Sequence, residues 1–377
     1  MQIRKKFIPI ITLIFLCIAL SSCHLGRFFY FNFANIDDYK KFPQVPVNKG
    51  EAVFHFQSAV NNPLPQLIRS FASKQSKSFE DFLQESNTVA FLIVRNDTMV
   101  YEYYDDKYDT TSLLTSFSVN KSVVSALVGI AIDEGVIKNE EEPIIKYIPE
   151  LDSRLSGITI RHLLNMRSGI DYKESYKNPF VDMPKYYYGT HLLKYITKLE
   201  PKQEPDKEFE YISVNTLLLS LAVERSTGMP LNEFLEKKLW IPMEMEFDAT
   251  YNLDSRRNHT IKGFCCLNAR ARDYAKFGRL YLNKGNWNGM QLISPRWIEK
   301  TLVNNDNEGA RKDYTYSYQW RRHPSGAFWA QGILGQFIYC NPAKNLIIVR
   351  MGKNYGNINW VKLFNNIDTE NYDYYRK

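Results

Sequence analysis

The stretch SFSVNKSVVSALVGIAIDEG, residues 116–135, decides the fold assignment because it places a serine and a lysine one turn apart on an apolar helix. The apolar side chains recur at helical spacing, at Val119, Val123, Leu127 and Ile130. Gly135 stands where a helix would stop. Ser118 and Lys121 share one face of the first turn. The pattern therefore allows two interpretations: a core helix with polar residues at its start, or a nucleophile with its base.

A serine hydroxyl is a weak nucleophile at neutral pH, so catalysis by Ser118 requires a base in contact with it. Lys121 can act as that base if burial and nearby positive charge lower its pKa. The first N–H groups of a helix are not used by the helical ladder, and the helix dipole adds positive potential there. The N–H of Ser118 is then available to stabilise an oxyanion. A capping serine beside a surface lysine is the structural alternative.

Strand-like segments lie at both ends of the chain, with helix-like segments between them. Residues 89–105 predict a β-hairpin around Asn96–Asp97, and three β-rich segments follow residue 316. Helical periodicity recurs between these ends, at residues 158–170, 214–228 and 269–285. The order predicts an α+β fold with one antiparallel sheet assembled from N- and C-terminal segments. A helical region, about residues 136–255, is inserted into it.

The N-terminus has the pattern of an export signal. A basic start, MQIRKK, precedes the apolar run FIPIITLIFLCIAL, which is short for a membrane span. Small residues then lead to Cys23, as in a bacterial lipoprotein signal. We therefore expect a signal peptide over residues 1–22, lipidation of Cys23, and a membrane-anchored protein of the cell envelope, on the periplasmic side. An uncleaved anchor or a simple secretory peptide is the alternative. Residues 23–50 lack a clear period and are interpreted as a tether.

Composition narrows the classes of function. The chain of 377 residues is 44% hydrophobic and carries a net charge of +7, of which three charges lie in the N-terminal signal. Without a sustained basic stripe, nucleic-acid binding is not expected. The six histidines form no ligand-like cluster, so no metal and no cofactor is predicted. The cysteines outside the signal do not form a disulfide framework and are interpreted as small buried hydrophobic residues, at Cys265, Cys266 and Cys340.

The residues around Ser118 resemble the nucleophile helix of the serine β-lactamase and penicillin-binding-protein superfamily. The match is nearer to its class C-like branch of esterases and 6-aminohexanoate-dimer hydrolases. Further segments are similar in the same order, namely ITIRHLLNMRSGIDY, FEYISVNTLLLSLAVERSTGMPLNEFLEKKLWIPM and YSYQWRRHPSGAFWAQGILGQFIYCNP. The resemblance covers roughly residues 85–352 and implies a β-lactamase/transpeptidase-like fold. It also implies that residues 51–377 form one serine hydrolase domain.

The resemblance implies a role for each site residue. Ser118 attacks a carbonyl and becomes acylated, and Lys121 accepts or relays the proton. Tyr211 passes the proton to the leaving group and later helps to activate water. The oxyanion donors would be the N–H groups of Ser118 and Ile333. Gly332, just before Ile333, would let the substrate approach the backbone.

Two motifs depart from the penicillin-recognising members. Those members usually have Tyr-x-Asn, whereas Tyr211 is followed here by Ile212 and Ser213, which would face the substrate. Their third motif, Lys-Thr-Gly or His-Thr-Gly, reads Ala-Gln-Gly at residues 330–332. Loss of that cation should weaken carboxylate binding by about 1.5–3 kcal/mol. β-Lactamase and D,D-peptidase activity are therefore disfavoured. A replacement charge from the neighbouring strand, at Arg321, Arg322 or His323, stays open beside the alternative of a solvated strand end.

One aromatic segment outside these motifs is a candidate for substrate contact. MPKYYYGT, residues 183–190, is interpreted as a loop beside the site, with Tyr187 either contacting the substrate or packing as an ordinary aromatic residue. The partner expected is a small-molecule ester or amide. Two other functions stay open: a catalytically silent, cleft-binding envelope lipoprotein and a D-Ala peptidase. The natural substrate, the preference for ester or amide, and the oligomeric state do not follow from the sequence.

Overall fold

Eight strands form the main sheet of the computed structural model, which describes residues 24–59, 64–69, 78–302 and 314–369. The strands are β1 (Gln44–Val47), β2 (Gln57–Ser58), β3 (Thr88–Arg95), β4 (Thr98–Tyr104), β5 (Leu114–Thr115), β6 (Ala249–Asn252), β7 (Leu267–Ala269), β8 (Asn286–Trp287), β9 (Met290–Gln291), β10 (Thr315–Ser317), β11 (Trp320–Arg322), β12 (Phe328–Gly332), β13 (Gln336–Asn341) and β14 (Leu346–Gly352). The order across the main sheet is β10-β11-β12-β13-β14-β3-β4-β2. Only β2 and β4 pair in parallel within it. The C-terminal strands thus continue into the N-terminal hairpin, as predicted.

The β3–β4 hairpin turns at Asn96 and Asp97, whose φ angles are +50° and +59°. Two positive φ angles at the centre of a two-residue loop suit the right-handed twist of the strands, and Asn and Asp tolerate that conformation. β3 pairs with β14 on its other side and is buried almost throughout. This central position explains why β3 reads as a continuous apolar run and not as an alternating one.

Helices cover both faces of the sheet. They are α1 (His24–Phe31), α2 (Phe79–Glu85), α3 (Asn120–Asp133), α4 (Ile160–Leu164), α5 (Asp182–Tyr188), α6 (Leu192–Ile196), α7 (Val214–Thr227), α8 (Leu231–Leu235), α9 (Ala271–Leu282), α10 (Pro295–Leu302) and α11 (Trp360–Asn365). A 3₁₀ turn, Phe117–Val119, leads directly into α3, and a π-helical turn, Glu236–Trp240, extends α8. Between residues 136 and 255 the regular elements are short helices, α7 and β6, joined by long irregular segments. No helix among the described ranges has the length and apolarity needed to cross a bilayer.

The sheet separates two apolar clusters. The larger one packs β12–β14 and β3 against α3, α7 and α9, with Leu127, Leu218 and Leu280 fully buried. The smaller one lies on the opposite face, where Trp360 and Phe364 of α11 contact Phe91 of β3. Because α3 is buried on nearly all sides, its N-terminal turn is held rigidly at the edge of the sheet.

The N-terminal segment differs from the expected tether, because residues 24–47 pack on the domain. Phe28 of α1 contacts Tyr188 of α5 edge-to-face, with ring centroids 5.4 Å apart. β1 pairs with β6 in a second sheet of order β1-β6-β7-β5. Apolar side chains spaced without a period can still be buried when neighbours surround the segment on several sides. The predicted signal peptide and Cys23 lie outside the described residues.

Candidate active site

Ser118 sits in the 3₁₀ turn that precedes α3, at the end of the main sheet that carries Gly332. Phe117, just before it, has a φ of +46°, a strained conformation for a residue with a bulky side chain. The turn is fixed from behind by the N–H of Ser116, which donates to the carbonyl of Leu267. α3 has no side-chain cap at its start, and Ser118 belongs to the first turn, where N–H groups have no acceptor within the helix.

Lys121 is enclosed next to Ser118 and only 1% exposed. Its Nζ lies 3.0 Å from Ser118 Oγ, 3.0 Å from Ser213 Oγ and 2.8 Å from the carbonyl oxygen of Phe264. An ammonium group would donate three hydrogen bonds to these oxygens. A neutral amine would keep two of them and accept the third from the hydroxyl of Ser118. The same geometry therefore accommodates the lysine before and after it takes the proton of Ser118.

Ser213 connects Lys121 to a carboxylate, that of Glu174. Its hydroxyl donates to Glu174 Oε1 at 2.6 Å, and its backbone N–H donates to Glu174 Oε2 at 2.8 Å. The hydroxyl of Tyr176 donates to Glu174 Oε1 at 2.5 Å. Burial and the Glu174 carboxylate raise the pKa of the Tyr176 phenol well above its usual range, so it stays a donor. Ser213, expected to face the substrate, lines the apolar cavity with Ser118, and its hydroxyl also links Lys121 to Glu174.

Tyr211 reaches the same site from the segment before α7. Its ring centroid is 5.2 Å from Lys121 Nζ, and its ring meets that of Tyr316 edge-to-face at 5.9 Å. Tyr211 and Ser118 both line one polar cavity of about 670 Å³. Ser118, Lys121 and Tyr211, which come from two distant segments, are thus brought together around one space.

A second cavity opens on the other side of Ser118. It has a volume of about 330 Å³ and is almost entirely apolar, with Phe117, Met183, Phe264 and Leu334 in its walls. Ser118, Tyr176, Ile333 and Tyr355 border both cavities. The nucleophile therefore stands at the boundary between a polar and an apolar space, which suits a substrate with a different group on each side of its carbonyl.

Gly332 and Ile333 lie beside Ser118, and the structure gives a steric reason for the glycine. A Cβ on Gly332 would lie 2.6 Å from the carbonyl oxygen of Ser116 and 3.1 Å from Cβ of Phe117. Glycine is thus required by the approach of the nucleophile turn itself, in addition to any substrate. Ile333 begins the 3₁₀ turn Ile333–Gly335, so its N–H has no acceptor within that turn. It borders both cavities with Ser118, and so it is available as an oxyanion donor.

Tyr187 lines the apolar cavity with its ring, but its hydroxyl is engaged elsewhere. The hydroxyl donates to Asp38 Oδ2 at 2.6 Å, away from the nucleophile. Burial and that carboxylate raise its pKa well above the usual range. The interpretation of residues 183–190 as a loop was wrong: residues 182–188 form α5, with Pro184 in the first turn, where proline is tolerated.

Cys265 and Cys266 form a disulfide between adjacent residues beside the site. They are buried as predicted, but their pairing was not expected. The preceding carbonyl, that of Phe264, accepts from Lys121, and the amide of Asn120 donates to the carbonyls of Gly263 and Cys265. Residues 263–265, which accept these hydrogen bonds, are thus fixed against α3, the helix that carries Lys121. Cys340 is free and buried.

Three functional candidates were missed or left open by sequence reasoning. Glu174 and Tyr176 come from a stretch rich in Tyr, Lys and Pro that carries no motif, so nothing marked them. Arg321 of β11 lines the polar cavity, with its Cζ 5.4 Å from the ring centroid of Tyr211, whereas neither Arg322 nor His323 borders that cavity. In the ranges that the structure describes, no cluster of His, Cys, Asp and Glu is arranged to hold a metal ion.

Comparison with known proteins agrees with this geometry. A family model described as "Beta-lactamase" matches residues 77–357. The 6-aminohexanoate-dimer hydrolase of Paenarthrobacter ureafaciens is 29% identical over 294 residues, covering 72% of this chain and 74% of the relative. A solved putative 6-aminohexanoate-dimer hydrolase from Bacillus anthracis has a TM-score of 0.76 at 24% identity, covering 88% and 91% of the two chains. EstCE1, a hydrolase with promiscuous acyltransferase activity, has a TM-score of 0.60 at 14% identity, covering 76% and 94%.

Proposed function

The chain belongs to the β-lactamase family of serine hydrolases, and from that premise we propose that it cleaves an ester or amide bond through an acyl-enzyme on Ser118. The observation that carries the proposal is the enclosed Lys121 amine, 3.0 Å from Ser118 Oγ. An amine in direct contact with the hydroxyl is placed to take its proton as Oγ attacks. The relative from P. ureafaciens is named for hydrolysis of an amide, and EstCE1 is a hydrolase by name.

The proposed reaction has two steps. Lys121 takes the hydroxyl proton while Ser118 Oγ attacks the carbonyl, and the N–H groups of Ser118 and Ile333 stabilise the oxyanion. Tyr211 gives a proton to the leaving group, which departs and leaves Ser118 acylated. Water then attacks the acyl carbonyl, with Tyr211 accepting its proton, while Lys121 returns its proton to Ser118 Oγ as the bond to the acyl group breaks and the free acid leaves. Near-attack geometry at a rigid helix start favours both steps.

A D-Ala peptidase is the less favoured alternative. Ala330 takes the place of the usual cation, and the side chain of the next residue, Gln331, is engaged: Trp329 Nε1 donates to its Oε1 at 3.1 Å and its Nε2 donates to the Tyr355 hydroxyl at 3.2 Å. A penicillin-type ligand would find no lysine or histidine at this position. We therefore expect weak covalent labelling by penicillin. A catalytically silent binding protein is the other alternative, and the complete Ser118, Lys121 and Tyr211 set argues against it.

The test is a fluorophosphonate probe followed by hydrolysis of short acyl esters, linear amides and a chromogenic cephalosporin. Wild type should label and turn over an ester or an amide. Ser118→Ala should do neither, and Tyr211→Phe should lose most turnover. Ser156→Ala, an exposed serine outside both cavities, is the matched control and should behave as wild type. If folded wild type fails to label, or labels no better than Ser118→Ala, the enzyme proposal is wrong. Rapid cephalosporin turnover would overturn the substrate preference.

We further propose that the protein is exported and anchored to a membrane through lipid on Cys23. Exposed aromatic rings just after that residue support a surface that meets the bilayer, since Phe29, Tyr30 and Phe33 are 68%, 83% and 54% exposed. Aromatic side chains favour the membrane–water interface. Wild type should fractionate with membranes and incorporate an alkyne-labelled fatty acid. Cys23→Ser should lose the label, and equal labelling of both would refute lipidation at this residue.

A further inference from the structure

Arg321 places a positive charge in the polar cavity next to the nucleophile. Its side chain is partly buried, and its Nε is inaccessible to water and has no hydrogen-bond partner within the described part of the chain. In those same residues Arg321 forms no ion pair. Of the acidic residues that line the cavity, Glu174 is bound by Ser213 and Tyr176, and Glu210 pairs with Lys202 at 2.9 Å. A shielded guanidinium without a carboxylate partner is uncommon, because burial of a charge is unfavourable unless it is compensated.

Aromatic rings surround this guanidinium. Its Cζ is 5.4 Å from the ring centroids of Tyr211 and Tyr316 and 5.9 Å from that of Tyr314. Such contacts stabilise the cation. The Tyr314 hydroxyl also accepts a hydrogen bond from the guanidinium, but no carboxylate of the described residues does. The in-plane N–H groups of an arginine match the two oxygens of a carboxylate. The rings therefore hold a cation whose hydrogen-bonding edge has no carboxylate from the described chain.

Arg321 also replaces a missing charge. Ala330 of β12 occupies the place where relatives that bind carboxylates have Lys or His, and the amide of the next residue, Gln331, is used by Trp329 and Tyr355. Arg321 lies on the adjacent strand β11, opposite Trp329 in the register. Arg321 therefore brings a cation to the cavity that Gln331 lines, from one strand further out.

We propose that Arg321 binds a carboxylate of the substrate in the polar cavity, while a hydrocarbon group on the other side of the scissile bond fills the apolar cavity. The substrate class is an amide or ester that joins an apolar acyl chain to a group with a free carboxylate, such as an acylated amino acid. This inference rests on the proposed hydrolase function, since Ser118 at the boundary of the cavities is where the two parts are joined.

Binding is measured in the Ser118→Ala background, so that the result does not depend on turnover. The probes are N-hexanoyl derivatives of glycine, β-alanine and 4-aminobutyrate, each compared with its neutral N-methylamide by calorimetry. The carboxylate form of at least one length should bind more tightly than its amide. Arg321→Gln should weaken carboxylate binding roughly 10- to 100-fold and leave the amide within about threefold, as expected for a charge-assisted hydrogen bond. Arg321→Lys should keep part of the preference.

Arg322→Gln, the next residue on the same strand and outside the cavity, is the control and should not change either affinity. The inference is overturned if no carboxylate is preferred over its amide, or if Arg321→Gln weakens both forms equally. The latter would mean that the arginine only supports the tyrosine rings. Absence of Ser118-dependent turnover of every ester and amide would instead refute the proposed function, and the binding result would still stand by itself.

Discussion

Replacement of Glu174 by glutamine should separate the charge of this residue from its shape. The carboxylate accepts three hydrogen bonds, from the N–H and the hydroxyl of Ser213 and from the hydroxyl of Tyr176, at 2.8, 2.6 and 2.5 Å. A glutamine fits the same space but has one acceptor oxygen. The NH₂ of the glutamine can take either oxygen position. At the Oε2 position it would face the N–H of Ser213, donor against donor, and at the Oε1 position it would displace the hydroxyl donors of Ser213 and Tyr176. In the second arrangement the hydroxyl of Ser213 donates to Lys121 Nζ. It then occupies the lone pair of the neutral amine, which would otherwise accept the proton of Ser118.

The expected size follows from the loss of one hydrogen bond to a charged acceptor. Such a bond contributes about 1.5–3 kcal/mol. Since about 1.4 kcal/mol corresponds to a factor of ten, kcat/KM should fall roughly 10- to 100-fold in Glu174→Gln. Glu208→Gln is the control. Glu208 is an exposed carboxylate shortly before Tyr211 in the sequence, and its replacement should leave kcat/KM unchanged.

The assay is a double-mutant cycle on an ester that wild type hydrolyses. Because Glu174 acts through Ser213, Glu174→Gln should have little further effect on kcat/KM when Ser213 is already alanine. Circular dichroism and thermal unfolding show whether each variant is folded. Full additivity of the two substitutions, or a folded Glu174→Gln with wild-type kcat/KM, would refute the hydrogen-bond chain from Lys121 to Glu174.

Three further results are expected. Gly332→Ala brings a Cβ to 2.6 Å from the Ser116 carbonyl oxygen, so thermal unfolding should show a loss of about 1–3 kcal/mol and ester turnover should fall; wild-type values for both would contradict the crowding. Burial raises the pKa of Asp273 to about 6, above its unfolded value, so its protonated form favours folding and this contribution is lost as pH rises from 4 to 6. In urea titrations the free energy of unfolding of wild type should fall by roughly 2–3 kcal/mol relative to that of Asp273→Asn between pH 4 and pH 6. The same pH dependence of this free energy in both proteins would contradict the prediction. Unreduced, denatured protein should be alkylated at Cys340 and not at the Cys265–Cys266 disulfide, as read by peptide mass; alkylation of all three before reduction would show that the disulfide is absent.

Features that depend on neighbours in the sequence were predictable. The Ser118–Lys121 contact needs only one helical turn, and the β3–β4 hairpin needs only two residues that accept positive φ. The α4 helix lies within the predicted segment 158–170 and is capped by Thr159, whose side chain accepts from the N–H of His162. In each case the chemistry and the geometry are specified within a few residues.

Features made by distant segments were not predictable in the same way. Glu174 becomes part of the site only because Ser213 lies against it, and Arg321 only because β11 lies beside β12. Composition misled for α5, since a proline in the first turn does not prevent a helix. Residues 24–47 have the sequence pattern of a linker, but in the folded chain they pack against β6 and α5. Their contacts depend on tertiary structure, which a single sequence does not display.

The position of α1 has a consequence for how a lipid-modified form would meet its substrates. His24, the residue after Cys23, already belongs to α1, and Phe33 and Ala34 form part of the apolar cavity wall. An acylated Cys23 would leave almost no slack between the lipid and the folded body. The entrance would then be held at the bilayer surface, and amphiphiles partitioned into that surface would be sampled in preference to compounds dissolved in bulk solvent.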